Sequence, residues 1–356
     1  MAGPTARRHL VAWVGVGVLI QLVVVGIELR GGSGDPAAFV HFGYDTATIA
    51  LAHRDLGPHV DAPNTEGADG QDFWVLATDP LLIDVAGVKP YLDRPAYRAD
   101  RIGYPLVVAP WRVFGQEAVL WGLIVTNVVA AAIGTWAAAR IATEVGLPER
   151  ACLAFALCPG VAVATLLDTG DGVALVLILL AIMAVLRQRW GWAVAAGVAA
   201  VLTRETSVLA LIGIAALGPA LPRRWRAALV GIPAAALAAW AIYVRLRLGG
   251  HRGGTATDVT WPFLGFYRIL FDPGAAATDV RSKELAVLLL LVAVAAVVLW
   301  WRQRDSLLLS AALPFALFAP LLGPFVLGRN VNSLRVFAPL VTLFVLGVYP
   351  RRVVMS

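Results

Sequence analysis

The sequence predicts an all-α polytopic membrane protein with about ten transmembrane helices. Hydrophobic residues fill 59% of its 356 positions and charged residues only 15%, whereas a soluble domain carries roughly 25% charged residues. The mean hydropathy of +0.77 agrees with this class. Abundant glycine and alanine indicate helices that pack closely in lipid. No internal repeat is visible, so we expect residues 1–356 to form a single integral membrane domain.

The predicted spans are the apolar runs that are long enough, or nearly long enough, to cross a bilayer. In chain order they are residues 10–29, 117–140, 151–167, 172–186, 191–202, 207–221, 227–243, 284–301, 307–327 and 336–349. The run at residues 104–114 is shorter and contains two prolines, which favours a re-entrant or half helix. The assignment of sides depends on the two short spans around the sequence TRET (203–206). If they formed one span, every later segment would change sides.

Arginines mark one side of this topology. Arg7 and Arg8 precede the first span, which predicts a cytoplasmic N-terminus. The other predicted inner connections are all basic: Arg140, Arg150, Arg187, Arg189, Arg223, Arg224, Arg226, Arg302, Arg304, Arg351 and Arg352. We therefore expect a multi-pass protein of the cell inner or plasma membrane with both termini in the cytoplasm. The net charge of +6 is then a topology signal and not a sign of nucleic-acid binding.

Two extracytoplasmic loops follow from this topology, residues 30–103 and residues 245–283. The second loop is also basic, which makes it the exception to the charge pattern. In the first loop, residues 45–56 and 71–83 have the pattern of short amphipathic helices, and we expect the latter to lie on the membrane surface. Residues 261–272 (WPFLGFYRILFD) predict an interfacial amphipathic helix in the second loop.

The most polar stretch of the chain is residues 69–105, DGQDFWVLATDPLLIDVAGVKPYLDRPAYRADRIGYP. Asp69 and Asp72 are spaced i, i+3, so they share a face if the stretch is helical. Either carboxylate could take a proton from an attacking hydroxyl, although Asp69 could equally be a helix N-cap. Asp45, close to the exit of the first span, is a further carboxylate candidate or a plain cap.

Arginines accompany these carboxylates. Arg98 and Arg101 are again spaced i, i+3 and could bind a phosphate group or extend to lipid headgroups. Arg204 and Glu205 could line the same site or pair with each other, and Arg335 could be interfacial. On the predicted topology these groups, with Asp168 and Asp171, meet on the outer side. Charges are expensive in lipid and normally face a cavity or each other.

This pattern favours an enzyme that acts on an anionic, lipid-linked substrate. The site candidates are the catalytic carboxylates Asp69, Asp45 and Asp72 and the substrate-binding residues Gln71, Tyr97, Arg98, Arg101, Tyr104, Arg204, Glu205 and Arg335. No cofactor is required, although clustered aspartates can hold Mg²⁺ or Mn²⁺. The alternatives are a transporter or flippase of lipid-linked substrates and a non-catalytic subunit. A transporter is expected to have charges at mid-membrane and internal repeat symmetry.

The sequence also resembles a family of enzymes. DGQDFWVLATDP and AYRADRIGYP are similar to motifs of integral membrane glycosyltransferases of the GT-C superfamily, near the branch of GPI mannosyltransferase II. VAAVLTRETSVLAL and RNVNSLRVFAPL resemble later elements of that branch. The likeness covers roughly residues 40–350 in short motifs. It departs from the branch at Asp72, Trp74 and Glu205, and the DTGDG segment lacks the branch's serine–glutamate pair.

The resemblance implies a GT-C-like fold and the transfer of a sugar, mannose or another hexose or pentose. The donor would be a polyprenyl-phosphate sugar, the acceptor an extracytoplasmic glycan or lipid, and the configuration at the sugar would invert. Membrane lipids would be the remaining partners. Carried over residue by residue, Asp69 becomes the proposed base, and Arg98, Arg101 and Arg204 become candidates for holding the donor phosphate.

Overall fold

A computed structural model describes residues 4–218, 221–249, 258–272 and 281–348. Helix is the only extended regular structure in these ranges, which otherwise contain two isolated β-bridges, Gly43 with Asn64 and Val259 with Leu322. The all-α prediction is therefore confirmed.

The first half of the chain contains two long helices, with short helices between them and after the second one. The bounds are α1 Pro4–Gly31, α2 Ala47–Asp55, α3 Asp69–Thr78, α4 Val85–Val88, α5 Pro95–Ala99, α6 Gly103–Val108, α7 Gln116–Glu144, α8 Leu153–Ala156 and α9 Pro159–Leu166. Helices α2 to α6 thus build the predicted first loop and the predicted half helix.

The second half contains longer helices joined by short turns. The bounds are α10 Asp171–Leu186, α11 Trp190–Thr203, α12 Val208–Leu217, α13 Arg223–Leu248, α14 Leu264–Phe271, α15 Ser282–Arg302, α16 Leu307–Phe318, α17 Pro324–Leu327 and α18 Asn330–Gly347.

Five of these helices, α1, α7, α13, α15 and α18, are long and apolar enough to cross a membrane. The segment from Glu149 to Leu166 makes a sixth candidate, bent by 47° where Pro159 starts α9. The apolar helices α10, α11, α12 and α16 are shorter. The membrane class is thereby supported, whereas the count of about ten spans is not confirmed.

Contacts between helix ends show how the shorter helices run. Arg204, directly after α11, pairs with Asp171 at the start of α10, so these two helices are antiparallel. The hydroxyl of Ser310, near the start of α16, donates to the carbonyl of Leu217 at the end of α12. Gly197 on α11 lies against Leu211 on α12, seven residues on either side of Arg204. The TRET segment is therefore a turn between two separate helices, and the single-span alternative does not apply. The ends that carry Asp171, Arg204 and Glu205 lie on one side of the bundle.

The prediction that residues 71–83 lie on the membrane surface is wrong. Helix α3 starts earlier and is enclosed by protein, with every residue from Gly70 to Ala77 buried. Aromatic packing explains the difference, because Trp74 meets Phe42 edge-to-face with ring centroids 5.5 Å apart. Phe73 packs in the same way against Tyr104 at 5.5 Å. Such pairs add to the stability that burial of the large rings already provides.

The other predicted loop helices are present. Helix α2 falls within residues 45–56, and α14 falls within residues 261–272. Around α14 the side chains of Trp261, Tyr267 and Phe271 are exposed, as expected for an interfacial segment. The rest of the predicted second loop, residues 250–257 and 273–280, lies outside the described residues, as do Arg351 and Arg352.

Close helix packing generates a prediction at Gly213. A β-carbon there would overlap the carbonyl oxygen of Ser310 on α16, whereas Gly231 on α13 has open space around it. We expect Gly213→Ala to lower the free energy of unfolding by about 1–3 kcal/mol because the two helices must separate. Gly231→Ala should be neutral or raise it by about 0.5–1 kcal/mol through helix propensity. Thermal unfolding of both variants in detergent measures the difference, and equal melting temperatures would contradict the packing described.

Candidate active site

A cavity of about 850 Å³ opens at the side of the bundle where the polar helix ends meet. Its charged lining comes mainly from the start of α3, the α5 region, the turn after α11 and the start of α18. Apolar side chains from the end of α16, the connection to α17, α17 itself and α18 also line it: Phe318, Leu322, Phe325, Val326 and Val336. A ligand in this cavity would therefore meet both charged and apolar groups.

Asp69 is part of the charged lining of the cavity. It is the first residue of α3, and the N-cap position belongs to Ala68, so Asp69 does not cap the helix with its side chain. Its carboxylate accepts a hydrogen bond of 2.5 Å from Arg98 Nη1 and one of 3.2 Å from Arg335 Nη1. Arg101 Nη1 lies 3.9 Å away. One carboxylate thus neutralises arginines from the first loop and from the last helix.

Carboxylates accept from nearly all of the hydrogen-bond donors of Arg98. Besides its bond to Asp69, its Nε and Nη2 donate to the two oxygens of Asp93 at 2.8 and 3.0 Å. Its Nε also lies 3.0 Å from Asp72 Oδ2. Only 9% of the Arg98 side chain is exposed. The alternative in which this arginine reaches lipid headgroups is therefore wrong, because its charge is enclosed by acids.

Arg101 is held in the same way. Its Nε and Nη2 donate to Glu205 at 3.0 and 2.8 Å, and its Nη2 also donates to the Tyr97 hydroxyl at 2.5 Å. The guanidinium carbon lies 4.4 Å from the centre of the Tyr97 ring. The guanidinium carbons of Arg94 and Arg98 also lie within cation–π distance of the centre of this ring, at 4.6 and 5.6 Å. Tyr97 therefore orders the arginine side of the cavity.

Arg204 and Arg335 share a different acid. Arg204 Nε lies 3.3 Å from Asp171 Oδ1, and Arg335 Nη1 lies 3.6 Å from Asp171 Oδ2. Arg335 Nη2 donates to Asn332 Oδ1 at 2.9 Å, one helical turn earlier on α18. Arg204 and Glu205 do not pair with each other, contrary to one of the alternatives above. Arg335 is buried, so it is not an interfacial residue.

The two aspartates of α3 have opposite protonation behaviour. Burial alone would raise the pKa of Asp69, but Arg98, Arg335 and Arg101 outweigh it and hold the pKa well below its usual range. Burial raises the pKa of Asp72 to about 8, against the opposing effect of Arg98. Asp72 is 1% exposed, and neither of its oxygens accepts a hydrogen bond within the described part of the chain. The arginines therefore keep Asp69 an anion, whereas burial favours the protonated form of Asp72.

Most of the predicted site residues meet in the cavity. Those that line it are Asp45, Asp69, Tyr97, Arg98, Arg101, Arg204, Glu205 and Arg335. Asp45 is exposed at the rim. Gln71, Asp72 and Tyr104 do not line the cavity and are buried behind it, so the predicted direct contact with substrate is not available to them.

Each of the buried residues has a local reason for its position. Gln71 joins two loop segments, because its amide oxygen accepts from the Gly43 N–H and its amide nitrogen donates to the Glu66 carbonyl. The Tyr104 hydroxyl donates to the Leu123 carbonyl and accepts from Asn127. Asp168, which we expected to join the site, is fully buried and also lies outside the cavity.

Sequence reasoning left several site residues out of the candidate list. Asp93 and Asn332 hold arginines of the site, and Asp171 bridges two of them. Asp93 lies in the polar stretch 69–105, and Asp171 was expected on the same side of the membrane. No sequence spacing, however, linked either residue to a particular arginine. Asn332, three residues before Arg335, could have been found as an i, i+3 partner on a helix.

Metal binding has no clear ligand set, since no group of three or more His, Cys, Asp or Glu side chains converges within the described ranges.

The raised pKa of Asp72 predicts a pH-dependent stability. Between the ordinary pKa near 3.8 and the folded value of about 8, the folded protein holds a proton that the unfolded chain releases. This contribution is present at low pH and is lost at about 1.4 kcal/mol per pH unit as the pH approaches 8. Asp72→Asn removes the titration but keeps the shape. We therefore expect the melting temperature of Asp72→Asn, relative to the wild type, to rise from about pH 5.5 to about pH 8.5. A constant difference would contradict the assignment.

Comparison with known proteins leaves the chain without an assigned family. No family model, no curated protein and no solved structure matches it. The resemblance to GT-C glycosyltransferases therefore rests on the sequence motifs alone, and the functional argument rests on the geometry of the cavity.

Proposed function

We propose that the protein is a glycosyltransferase that moves a sugar from a polyprenyl-phosphate donor to an extracytoplasmic glycan or lipid acceptor. The observation that carries this proposal is the position of Asp69, an anionic carboxylate in a cavity lined by both arginines and apolar side chains. A lipid-linked phosphate needs both kinds of side chain, because its head is charged and its chain is apolar. Arginine binds phosphate oxygens well, since its planar fork can donate two parallel hydrogen bonds.

The reaction is a single displacement in this proposal. The oxygen of an acceptor hydroxyl attacks the anomeric carbon of the sugar, and Asp69 takes the hydroxyl proton. The new bond from acceptor oxygen to sugar forms as the bond from sugar to phosphate oxygen breaks. The electron pair of the broken bond leaves with the polyprenyl phosphate, and arginines stabilise its charge. Attack from the side opposite to the leaving group inverts the anomeric configuration.

The arrangement of charges favours an enzyme over the transporter alternative. The ion-paired residues of the cavity belong to the ends of helices and to the first loop, so they gather at one end of the bundle. A transporter that alternates between two sides is expected to hold its substrate near mid-membrane between repeated halves. We propose that this end faces the extracytoplasmic side of the cell inner or plasma membrane, because the predicted inner connections carry the arginines that favour the cytoplasm.

This sidedness can be measured by cysteine labelling. Asp61 is exposed in the first loop, and Arg189 is exposed at the opposite end of α10 from Asp171. The native cysteines, Cys152 and Cys158, are both buried. In intact cells we expect a membrane-impermeant maleimide to label Asp61→Cys, and to label Arg189→Cys only after the membrane is opened. The reverse labelling pattern would place the cavity on the cytoplasmic side and would contradict the proposal.

The role of Asp69 is tested by sugar transfer. Purified protein is incubated with a panel of radiolabelled polyprenyl-phosphate sugars and membrane acceptors, and the sugar that is transferred identifies the donor. We expect Asp69→Asn to lower the transfer rate roughly hundredfold or more, because the hydroxyl loses its proton acceptor. Asp61→Asn is the matched control, with the same change in the same loop but outside the cavity, and should keep the wild-type rate. Full transfer by a folded Asp69→Asn protein would remove Asp69 from the mechanism.

A further inference from the structure

Among the described residues, arginines and carboxylates line the cavity in equal number. They are six arginines and six carboxylates: Arg94, Arg98, Arg101, Arg204, Arg329 and Arg335, and Asp45, Glu66, Asp69, Asp93, Glu205 and Asp258. An anionic ligand that enters such a cavity gains little unless it takes an arginine from its carboxylate or arrives with its own cation. The question is therefore which arginine can change partners.

The arginines differ in how much of their donor capacity is used. All three guanidinium nitrogens of Arg98 donate to or pair with carboxylates, and Arg101 makes two hydrogen bonds to Glu205 and one to Tyr97. Arg204, by contrast, makes a single ion pair within the described residues, from Nε to Asp171. Arg335 has a buried Nε that lacks a hydrogen-bond partner there, and its Nη1 is divided between two acids at 3.2 and 3.6 Å.

Asp171 holds these two less committed arginines together. It lies at the start of α10 and contacts Arg204 with one oxygen and Arg335 with the other, so both guanidinium groups flank the same carboxylate. Both arginines also line the cavity, and Arg204 retains 15% exposure of its side chain. Asp69 lines the cavity and Asp171 does not, so a ligand would replace the contact of 3.2 Å that Arg335 makes with Asp69. A phosphodiester, with its two unesterified oxygens, could then accept hydrogen bonds from both arginines.

We infer that the donor phosphodiester binds to Arg204 and Arg335 by displacing Asp69 from Arg335, so that Asp69 becomes an effective base only after the donor has bound. The inference rests on the proposed function and adds an order of events to it. Without donor, Asp69 is neutralised by Arg98 and Arg335 and has little affinity for a proton. With donor bound, Asp69 has lost one of these cations and gained an anion as neighbour, and both changes strengthen it as a proton acceptor.

The inference has an unusual consequence for Asp69→Asn. In the wild type, the ligand competes with Asp69 for Arg335, and an asparagine at this position competes far less. We therefore expect Asp69→Asn to bind a phosphodiester roughly tenfold more tightly than the wild type while failing to transfer sugar. A residue that held substrate directly, or that only stabilised the fold, would weaken binding when changed.

The probe is a short-chain prenyl hexosyl phosphodiester, and the control ligand is the corresponding prenyl hexoside without phosphate. Binding to the full-length protein in detergent is measured by calorimetry in the presence of a chelator and without acceptor. Arg204→Gln and Arg335→Gln should each weaken phosphodiester binding roughly tenfold or more. Arg187→Gln is the matched control, because Arg187 pairs with Glu144 at the far end of α10 and should leave binding unchanged. The uncharged hexoside should bind weakly to every variant.

Three results would overturn the inference: unchanged or weaker phosphodiester binding by Asp69→Asn, equal binding of the uncharged hexoside, or binding that requires a divalent cation. If Asp69→Asn does not fold, Asp69→Ser replaces it, since it also removes the carboxylate that competes for Arg335 and should also bind more tightly. The two proposals fail separately. Tighter binding combined with undiminished transfer would exclude Asp69 as the base, whereas lost transfer without tighter binding would exclude the exchange of Arg335.

Discussion

The neutralisation of Asp69 by arginines is the interaction on which the site depends. Arg98 reaches this carboxylate from the first loop and Arg335 reaches it from the last helix, so one aspartate connects the polar loop to the helical bundle. A buried charge pair stabilises little on its own, but removing one partner leaves an uncompensated charge. The loop can therefore not rearrange without affecting α18, and the shape of the cavity follows from this connection.

Hydropathy made the helices of the bundle predictable. Residues 172–186 were predicted as a span, and α10 occupies Asp171–Leu186. Residues 191–202 correspond to α11, Trp190–Thr203. Apolar runs bounded by charged residues carry this information locally, because the lipid or the protein interior must accept every residue of the run. The short length of several of these helices is equally visible in the sequence, which is why their count as spans cannot be read from hydropathy alone.

The environment of the first loop was not predictable in the same way. The amphipathic pattern of residues 71–83 led us to expect a surface helix, whereas α3 is enclosed by Phe42 and Tyr104, which belong to other segments. The same applies to Arg204 and Glu205, which are neighbours in the sequence but pair with Asp171 and Arg101. Sequence spacing identifies partners within one helix, but ion pairs between distant elements depend on the tertiary arrangement.

The distance along the chain between Asp69 and Arg335 has a consequence for biosynthesis. They are separated by 266 residues, so α3 is made early and its last counter-ion is made near the end of translation. Until α18 has been inserted, the carboxylate of Asp69 has only Arg98 and Arg101 of its own loop as counter-ions. A chain that stops before α18 would therefore lack both the last counter-ion and the part of the cavity that α18 lines.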